Sequence, residues 1–506
     1  MSRHSLRTFP PSLSPSSSPR AMGLATYLLL LLTHPNEFRT LVQYKIYYEP
    51  SRDLPGDPTS GWERESMRTC WKHLDLTSRS FAAVIKELEG DLARTICLFY
   101  LVLRGLDTIE DDMTLDPQRK QTLLRSFHVH SATPGWNFID SGPNEKDRLL
   151  LVEYADVVTE LLLLPPDARA AILTIADKMG AGMADFALRP LGATVDTQEE
   201  YDLYCHYVAG LVGEGLSLLF AASGKEAPSI ARELVLSNSL GLFLQKTNIT
   251  RDLREDADER RYFYPRAFWG PYGFTTPSDM CPASNREEDV PEQAMWVQSA
   301  MVVDALRHAT DALEYLRLLK NQSVFNFCAI PATMAMATLE LCFMNRGVFV
   351  RNVKIRKAAA ADLIMRSTNP RDVSLIFRDY ARKIHARALP HDPSYMRLSV
   401  ACGKLEQWHE HAYPSFVLIG GPNGGMQVKQ SDPRGAVFVA SEKADQEMTR
   451  RRQFEKIREK MGERAKGLAP SKESENEVLW YSAMIMLAFL LSAGGIVFAV
   501  MYYGRD

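Results

Sequence analysis

The sequence predicts an all-α protein: one large helical domain around a central apolar pocket, followed by a single membrane-spanning helix. Three observations carry that prediction. From about residue 36 to 410 apolar residues recur at helical spacing, and no run of alternating strands competes with them. Two acidic clusters, Asp107-Thr108-Ile109-Glu110-Asp111-Asp112 and Asn248-Ile249-Thr250-Arg251-Asp252-Leu253-Arg254-Glu255-Asp256, each interrupt an apolar helical run. From Val478 to Tyr503 there is no charged residue.

Helical segments are expected over 80–113, 146–164, 167–188, 198–222, 230–257, 291–320, 323–345 and 358–388, the last broken near Asn369-Pro370. Turn-rich text separates them at 131–147, 190–196 and 270–289. No repeat at solenoid periods is present. The chain divides into an extension, residues 1–21, a catalytic-size helical domain, 22–418, a Gly/Pro-rich linker and charged stalk, 419–477, and the apolar span 478–503.

In each acidic cluster three carboxylates stand at i, i+3 and i+4: Asp107, Glu110 and Asp111 in the first, Asp252, Glu255 and Asp256 in the second. Like charges so placed repel, at a few tenths of a kcal/mol per pair on an isolated helix. A solvated helix face would tolerate that. The preceding text, Ile96 to Leu106 and Leu240 to Thr247, is too apolar around the helix for a surface element. Buried helices that end in carboxylates describe the rim of a pocket, and hard oxygen ligands favour Mg²⁺. Neither cluster has the alternating ligands and central Gly of an EF-hand loop.

Composition narrows the classes further. The 506 residues carry 59 Lys and Arg against 62 Asp and Glu, a net charge of -3, with no basic block interleaved with aromatics, so nothing favours a nucleic-acid partner. Seven cysteines, odd in number, widely spaced and without a CxxC pair, read as reduced core thiols of a cytosol-facing domain.

The uncharged C-terminal stretch would reach about 39 Å as a helix at ~1.5 Å per residue, enough to cross a bilayer. Trp480 and Tyr481 at one end and Tyr502 and Tyr503 at the other suit the interfaces, and the basic residues from Arg450 to Lys472 place the domain on the cytoplasmic side. This is the pattern of a tail anchor, expected in the endoplasmic reticulum, with the mitochondrial outer membrane as alternative. Ser- and Arg-containing residues 1–20 have a transit-peptide composition, yet no small-residue cleavage site follows the apolar run from Ala21 to Leu32, so a disordered extension is expected.

Six stretches in order resemble one family: Thr77-Ser78-Arg79-Ser80-Phe81; the first acidic cluster; Tyr204-Cys205-His206-Tyr207-Val208-Ala209-Gly210; Gly241 to Asp252; Ser323-Val324-Phe325-Asn326-Phe327-Cys328-Ala329-Ile330-Pro331; and Val353-Lys354-Ile355-Arg356-Lys357. Over roughly 35–388 the chain is similar to the squalene synthases, head-to-head trans-prenyltransferases. The resemblance implies an isoprenoid-synthase-type fold, Mg²⁺ and NADPH as cofactors, and two farnesyl diphosphates as substrates. They would be condensed to presqualene diphosphate and then reduced to squalene. It implies Asp107, Glu110, Asp111, Asp252, Glu255 and Asp256 at the metal, and Arg79, Arg104, Arg251 and Ser78 at the diphosphates, where a guanidinium fork fits phosphate oxygens.

It also implies Tyr204, with Tyr207 second, as base or relay in the cyclopropane step, its phenol pKa lowered by magnesium diphosphate. Phe325 and Phe327 would stabilise carbocations through their ring faces. Lys354 and Arg356, with Lys72 and Asn248 behind them, would hold NADPH, for which no GxGxxG after a strand is present. A monomeric catalytic domain is expected. Leu253 and Arg254 stand where relatives carry other residues, and Gly105 where Ala is common. The alternatives are a related synthase that stops at presqualene diphosphate or makes phytoene, and a non-catalytic membrane-anchored scaffold.

Overall fold

The computed structural model describes residues 31–48, 52–187 and 192–414, with short stretches between 417 and 453. The tail 478–503, the extension 1–21 and most of 419–477 lie outside the described residues. The chain forms two compact units, Met1–Ala412 and Tyr413–Asp506; in the second, strands β1 (Val417–Ile419) and β2 (Met426–Val428) pair antiparallel.

The first unit is helical. Its longer elements are α1 (Pro35–Tyr47), α2 (Glu65–Thr77), α3 (Arg79–Lys86), α4 (Leu92–Asp111), α5 (Pro117–His130), α6 (Tyr154–Leu162), α7 (Pro166–Ala187), α8 (Gln198–Cys205), α9 (Leu211–Ala222), α10 (Leu234–Asp258), α11 (Glu292–Leu306), α12 (Ala309–Leu318), α13 (Gln322–Cys342), α14 (Lys357–Arg366), α15 (Pro370–Ala386) and α16 (Tyr395–Ala412). Short polar side chains start many of them. Ser78, Asp116, Thr197, Asn321 and Asn369 each accept a hydrogen bond from a first-turn N–H, and Pro117 and Pro370 occupy first positions where a missing N–H costs nothing.

α10 and α13 form the centre: α13 is buried along nearly its whole length, and α10 along most of it before the acidic cluster. α10 packs on α13, α12, α11 and α9, and α5 lies along α7. The expected helix over 80–113 is two helices, parted at Gly90 with φ 66°. The expected helix over 291–320 is likewise divided at Arg307 and His308. That over 198–222 is continuous but contains a π-helical turn, His206–Gly210, between α8 and α9.

This turn packs against α10 through glycines. A Cβ on Gly241 would lie 2.4 Å from the Ala209 carbonyl oxygen, and one on Gly213 would lie 2.4 Å from that of Ser237. Backbone cannot yield as a side-chain tip does. Gly241→Ala is therefore expected to destabilise the protein by about 1–3 kcal/mol, the usual cost of overpacking, as read from a urea unfolding midpoint. Gly105 has a similar explanation: a Cβ there would meet the Phe127 ring at 2.7 Å and the Tyr154 ring at 3.1 Å, so the glycine lets both aromatics close on α4.

Candidate active site

Both acidic clusters end long buried helices, α4 and α10, and they converge. Arg261, just beyond the end of α10, binds Asp256 at 2.9 Å and Glu259 at 2.7 Å, and its charge also acts on Glu110 and Asp111 of the other rim. Burial with few partners shows in the carboxyls: that of Glu110 is pushed up to about 8 by burial and by Asp107, and those of Asp111 and Asp256 well above the usual range by burial and neighbouring carboxylates. Asp111 Oδ1 and Arg261 Nε and Nη1 are buried with no hydrogen-bond partner among the described residues. Such atoms are costly to leave unpaired and mark a place where ligands belong.

Below the rims an apolar cavity has an empty volume of about 900 Å³, including its part open to solvent. Its walls include Phe99, Tyr100 and Leu103 of α4, Val208 and Ala209 of the π-turn, Leu240, Leu244 and Asn248 of α10, and Phe327 and Pro331 of α13. Tyr100 lies about two turns before Asp107, and Asn248 about one turn before Asp252. Each of these helices therefore runs from the cavity wall to its rim. Proline at 331 cannot donate to the Phe327 carbonyl, which interrupts the helix ladder at the cavity wall.

The other expected site residues are placed as follows. Arg104 is buried, 3.5 Å from Asp107, and donates to the Tyr100 hydroxyl at 3.0 and 3.2 Å. Arg251 is buried and clamps Asp252 with Nε at 2.7 Å, while Nη1 donates to Asn248 at 3.2 Å. Glu255 turns to Asn352, whose amide donates at 2.8 Å, so the second rim is joined to the loop before Val353. Ser78 caps α3, and Arg79 is the first residue of that helix, its side chain outside the described residues.

Tyr204 is buried, its ring stacked on Phe263 at 4.9 Å and tilted against Phe186 at 5.2 Å. Its phenol pKa is raised rather than lowered, by burial and then by Glu110, with Arg261 opposing. Tyr207, in the π-turn, packs where a Cβ on Gly182 would be. Phe325 is buried in the helical core and is not one of the cavity-wall residues. Lys354 and Arg356 are exposed, and Arg356 pairs with Glu37 of α1 at 2.8 Å. Lys72, 58% exposed, lies 4.0 Å from Glu153. Asn248 faces the cavity instead of the Lys354 loop.

A family model described as squalene/phytoene synthase matches residues 74–358. Squalene synthases of Ganoderma lucidum and Schizosaccharomyces pombe are 57% and 48% identical over 458 and 381 residues, covering 87% and 75% of this chain and 97% and 81% of theirs. The solved structure of TcSQS with the ligand E5700 superposes with a TM-score of 0.64 at 39% identity, over 69% of this chain and 99% of that one. The chain belongs to the squalene/phytoene synthase family.

Within that family's fold, the structure adds residues that the spacing in the sequence did not single out. Tyr100 couples the cavity wall to Arg104. Lys120 is buried and donates to the Glu110 carbonyl at 2.7 Å, placing a cation at the C-terminus of α4. Asp112, the last carboxylate of the first cluster, accepts from Thr114 N, Thr114 Oγ1, Ser141 Oγ and Gly142 N, so it anchors a loop. Arg254 pairs with Asp258 one turn on, and Leu253 is buried in the core. Arg261 carried no signal beyond being one of two adjacent arginines after the cluster.

Proposed function

We propose that the protein condenses two farnesyl diphosphates head-to-head to presqualene diphosphate, with loss of diphosphate, and reduces this with NADPH to squalene. The observation that carries the reading is two carboxylate rims that feel the charge of one arginine and end helices that also wall an apolar cavity.

The rims suit Mg²⁺. Their donors are hard oxygens, their carboxyls resist ionisation without a cation, and one buried Asp111 oxygen is unpartnered. No group of three or more potential ligands among the described residues is gathered for a single ion. Mg²⁺ takes one or two carboxylates and completes its sphere with substrate phosphates. Between them Asp107, Glu110, Asp111, Asp252 and Asp256 would hold Mg²⁺ ions, one or two carboxylates to each, and when bound these would supply Lewis-acid stabilisation of the leaving diphosphate. Glu255, turned toward Asn352, would support the second rim.

Arg104 and Arg251 hold Asp107 and Asp252 in place, and with Arg79 and Arg261 would meet phosphate oxygens. The apolar wall excludes water from the allylic cation left when the C–O bond breaks. The second substrate's alkene then attacks that carbon. As the cyclopropane closes, the phenol oxygen of Tyr204 receives the departing proton while its own passes to a diphosphate oxygen; a phenol with a raised pKa suits such a relay, because it stays protonated between turnovers. Phe327, in the cavity wall, offers a ring face to the rearranging cations of the second step, with Phe325 supporting the same helix. Lys354 and Arg356 would hold the phosphates of NADPH, which supplies hydride. A single tail anchor over 478–503, in the endoplasmic reticulum membrane with the domain in the cytosol, would let an insoluble product pass into lipid. The catalytic domain is taken to act as a monomer.

The deciding experiment gives the protein farnesyl diphosphate and Mg²⁺ with and without NADPH. Squalene formed only with NADPH supports the reading. Presqualene diphosphate as end product in both cases would support the truncated reaction, and no turnover a scaffold.

The carboxyl shifts make a separate prediction. Folded carboxyls with raised pKa hold protons near neutral pH, and a cation binds only the ionised form. Mg²⁺ binding is therefore expected to release protons, and its affinity to rise as pH approaches the Glu110 value of about 8. Calorimetry in buffers of different ionisation enthalpy measures both; affinity that falls or stays level between pH 6 and 8 would contradict it.

A further inference from the structure

A ring of charge, two of its members wholly buried and two nearer the surface, lies beside the site and takes no part in the chemistry described above. Lys246 of α10 is 0% exposed. Its ammonium binds Asp202 of α8 and, at 2.5 Å, Asp304 of α11, which is itself wholly buried. Arg307 closes the ring, binding Asp304 at 2.7 Å and also Asp202. Gln198, in the first turn of α8, donates to Asp304 at 2.9 Å, and the Tyr201 ring lies 5.0 Å from the Lys246 nitrogen. Two cations and two anions alternate, so the ring is neutral.

Stability is a poor explanation for it. Taking a lysine and an aspartate fully out of water costs several kcal/mol per ion, and apolar replacements of such groups are often neutral or stabilising. What the ring does supply is registry. Asp202 stands two residues before Tyr204, and Lys246 stands six residues before Asp252. α8 runs straight into a π-helical turn, a rare element often found at functional sites, so the regular helical ladder is interrupted immediately after Tyr204-Cys205 and does not by itself fix where Tyr204 stands. The hydrogen bonds of Lys246 have fixed directions, which apolar packing lacks.

We propose that the Lys246, Asp202, Asp304 and Arg307 ring is a positioning device that fixes Tyr204 relative to the second acidic rim, and thereby governs what becomes of the first allylic cation. This rests on the function proposed above. When the C–O bond breaks, diphosphate leaves with the electron pair. In the productive course the second substrate's alkene donates its pair to C1, and a proton leaves by way of Tyr204 as the ring closes. In the failing course a water oxygen bonds C1, its proton goes to solvent, and farnesol is released. Until that proton leaves, the alkene's attack is reversible, so when Tyr204 is displaced by about 1 Å the electron pair returns to the alkene, the allylic cation re-forms, and the second course is favoured.

The test uses the full chain with farnesyl diphosphate and Mg²⁺ and no NADPH, and measures farnesol against presqualene diphosphate. That ratio does not depend on how much enzyme is folded. Asp202→Asn keeps the Lys246–Asp304 contact, and Lys246→Met with Asp202→Asn together keeps the Arg307–Asp304 pair and the neutral sum. Both are expected to raise the farnesol share about tenfold, while Mg²⁺-dependent diphosphate release changes less than about threefold. If the double variant does not fold, Asp202→Asn, at a half-buried position, decides alone. An unchanged ratio in the folded variants overturns the proposal. So does an unchanged ratio in Tyr204→Phe, which would leave squalene synthesis by the native protein standing. Failure of the native protein to make presqualene diphosphate would overturn the proposed function and this inference together.

Discussion

Asp107→Ala and Asp252→Ala are each expected to lower Mg²⁺-dependent diphosphate release by about 10³-fold. The leaving group gains negative charge as its C–O bond breaks, and each fixed group that meets such charge in a desolvated site accounts for about 10²–10³ in rate. A lost metal ligand removes a whole cation from that position, so the upper part of the range applies. The two rims stand on different helices, and among the described residues only the second is bonded to Arg261, whose charge acts on the first without contact, so neither rim is expected to substitute for the other. Folding should survive in both variants. The carboxyls of the first rim raise one another's pKa, so Asp107→Ala relieves repulsion on Glu110 and Asp111, although it leaves Arg104 to Tyr100 and Asp147. Thermal unfolding without Mg²⁺ is expected to change by no more than a few degrees, whereas the stabilisation that Mg²⁺ and a diphosphate confer on the native protein is lost. Diphosphate release measured by a coupled phosphate assay decides; activity within tenfold of the native protein in either variant would exclude that residue as a metal ligand.

Asp112→Ala separates charge from structure in the same cluster. It lies beside Asp111, yet its carboxylate is consumed by four donors from Thr114, Ser141 and Gly142, and those bonds hold its pKa below the usual value in spite of burial. Periodicity alone distinguishes the two, since Asp107, Glu110 and Asp111 share a helix face and Asp112 follows the last helical residue.

That contrast marks what could be read from residues in order. The two rims, the buried character of their helices and the all-α class were legible because they depend on spacing within one helix. The cavity followed only in outline. Its wall takes residues from α3, α4, the π-turn, α9, α10 and α13, and no local pattern tells a wall phenylalanine such as Phe327 from a core one such as Phe325 two residues earlier. Arg261 was not legible because its importance lies in reaching Glu110 and Asp111, which are distant in sequence. The π-turn was hidden for a similar reason: its one glycine, Gly210, looks like weak helix, and only the approach of α10, with Gly241 against the Ala209 carbonyl, shows how closely the two backbones meet there.

Lys354→Ala is expected to leave presqualene diphosphate formation within about twofold of native and to raise the KM for NADPH roughly 10- to 100-fold, the worth of one charge-assisted hydrogen bond at about 1.5–3 kcal/mol. No βαβ unit is present among the described residues. The segment 351–357 offers four cations in seven residues, Arg351, Lys354, Arg356 and Lys357, all exposed. Arg351 is engaged with Glu287 at 2.9 Å and Arg356 with Glu37 at 2.8 Å. Arg356 is 71% exposed, so that pair is weak and can open toward a phosphate. The bond from Asn352 to Glu255 ties this loop to the helix of the second rim, which would bring hydride close to the site where the second diphosphate departs. Because the contacts are exposed, the KM is also expected to rise with ionic strength in the native protein, and less steeply in Lys354→Ala. Two assays separate the outcomes: presqualene diphosphate formed without NADPH, and squalene formed over a range of NADPH concentrations. An equal loss in both half-reactions would mean that Lys354 supports the fold of the domain or the first condensation, and would remove it from the cofactor site.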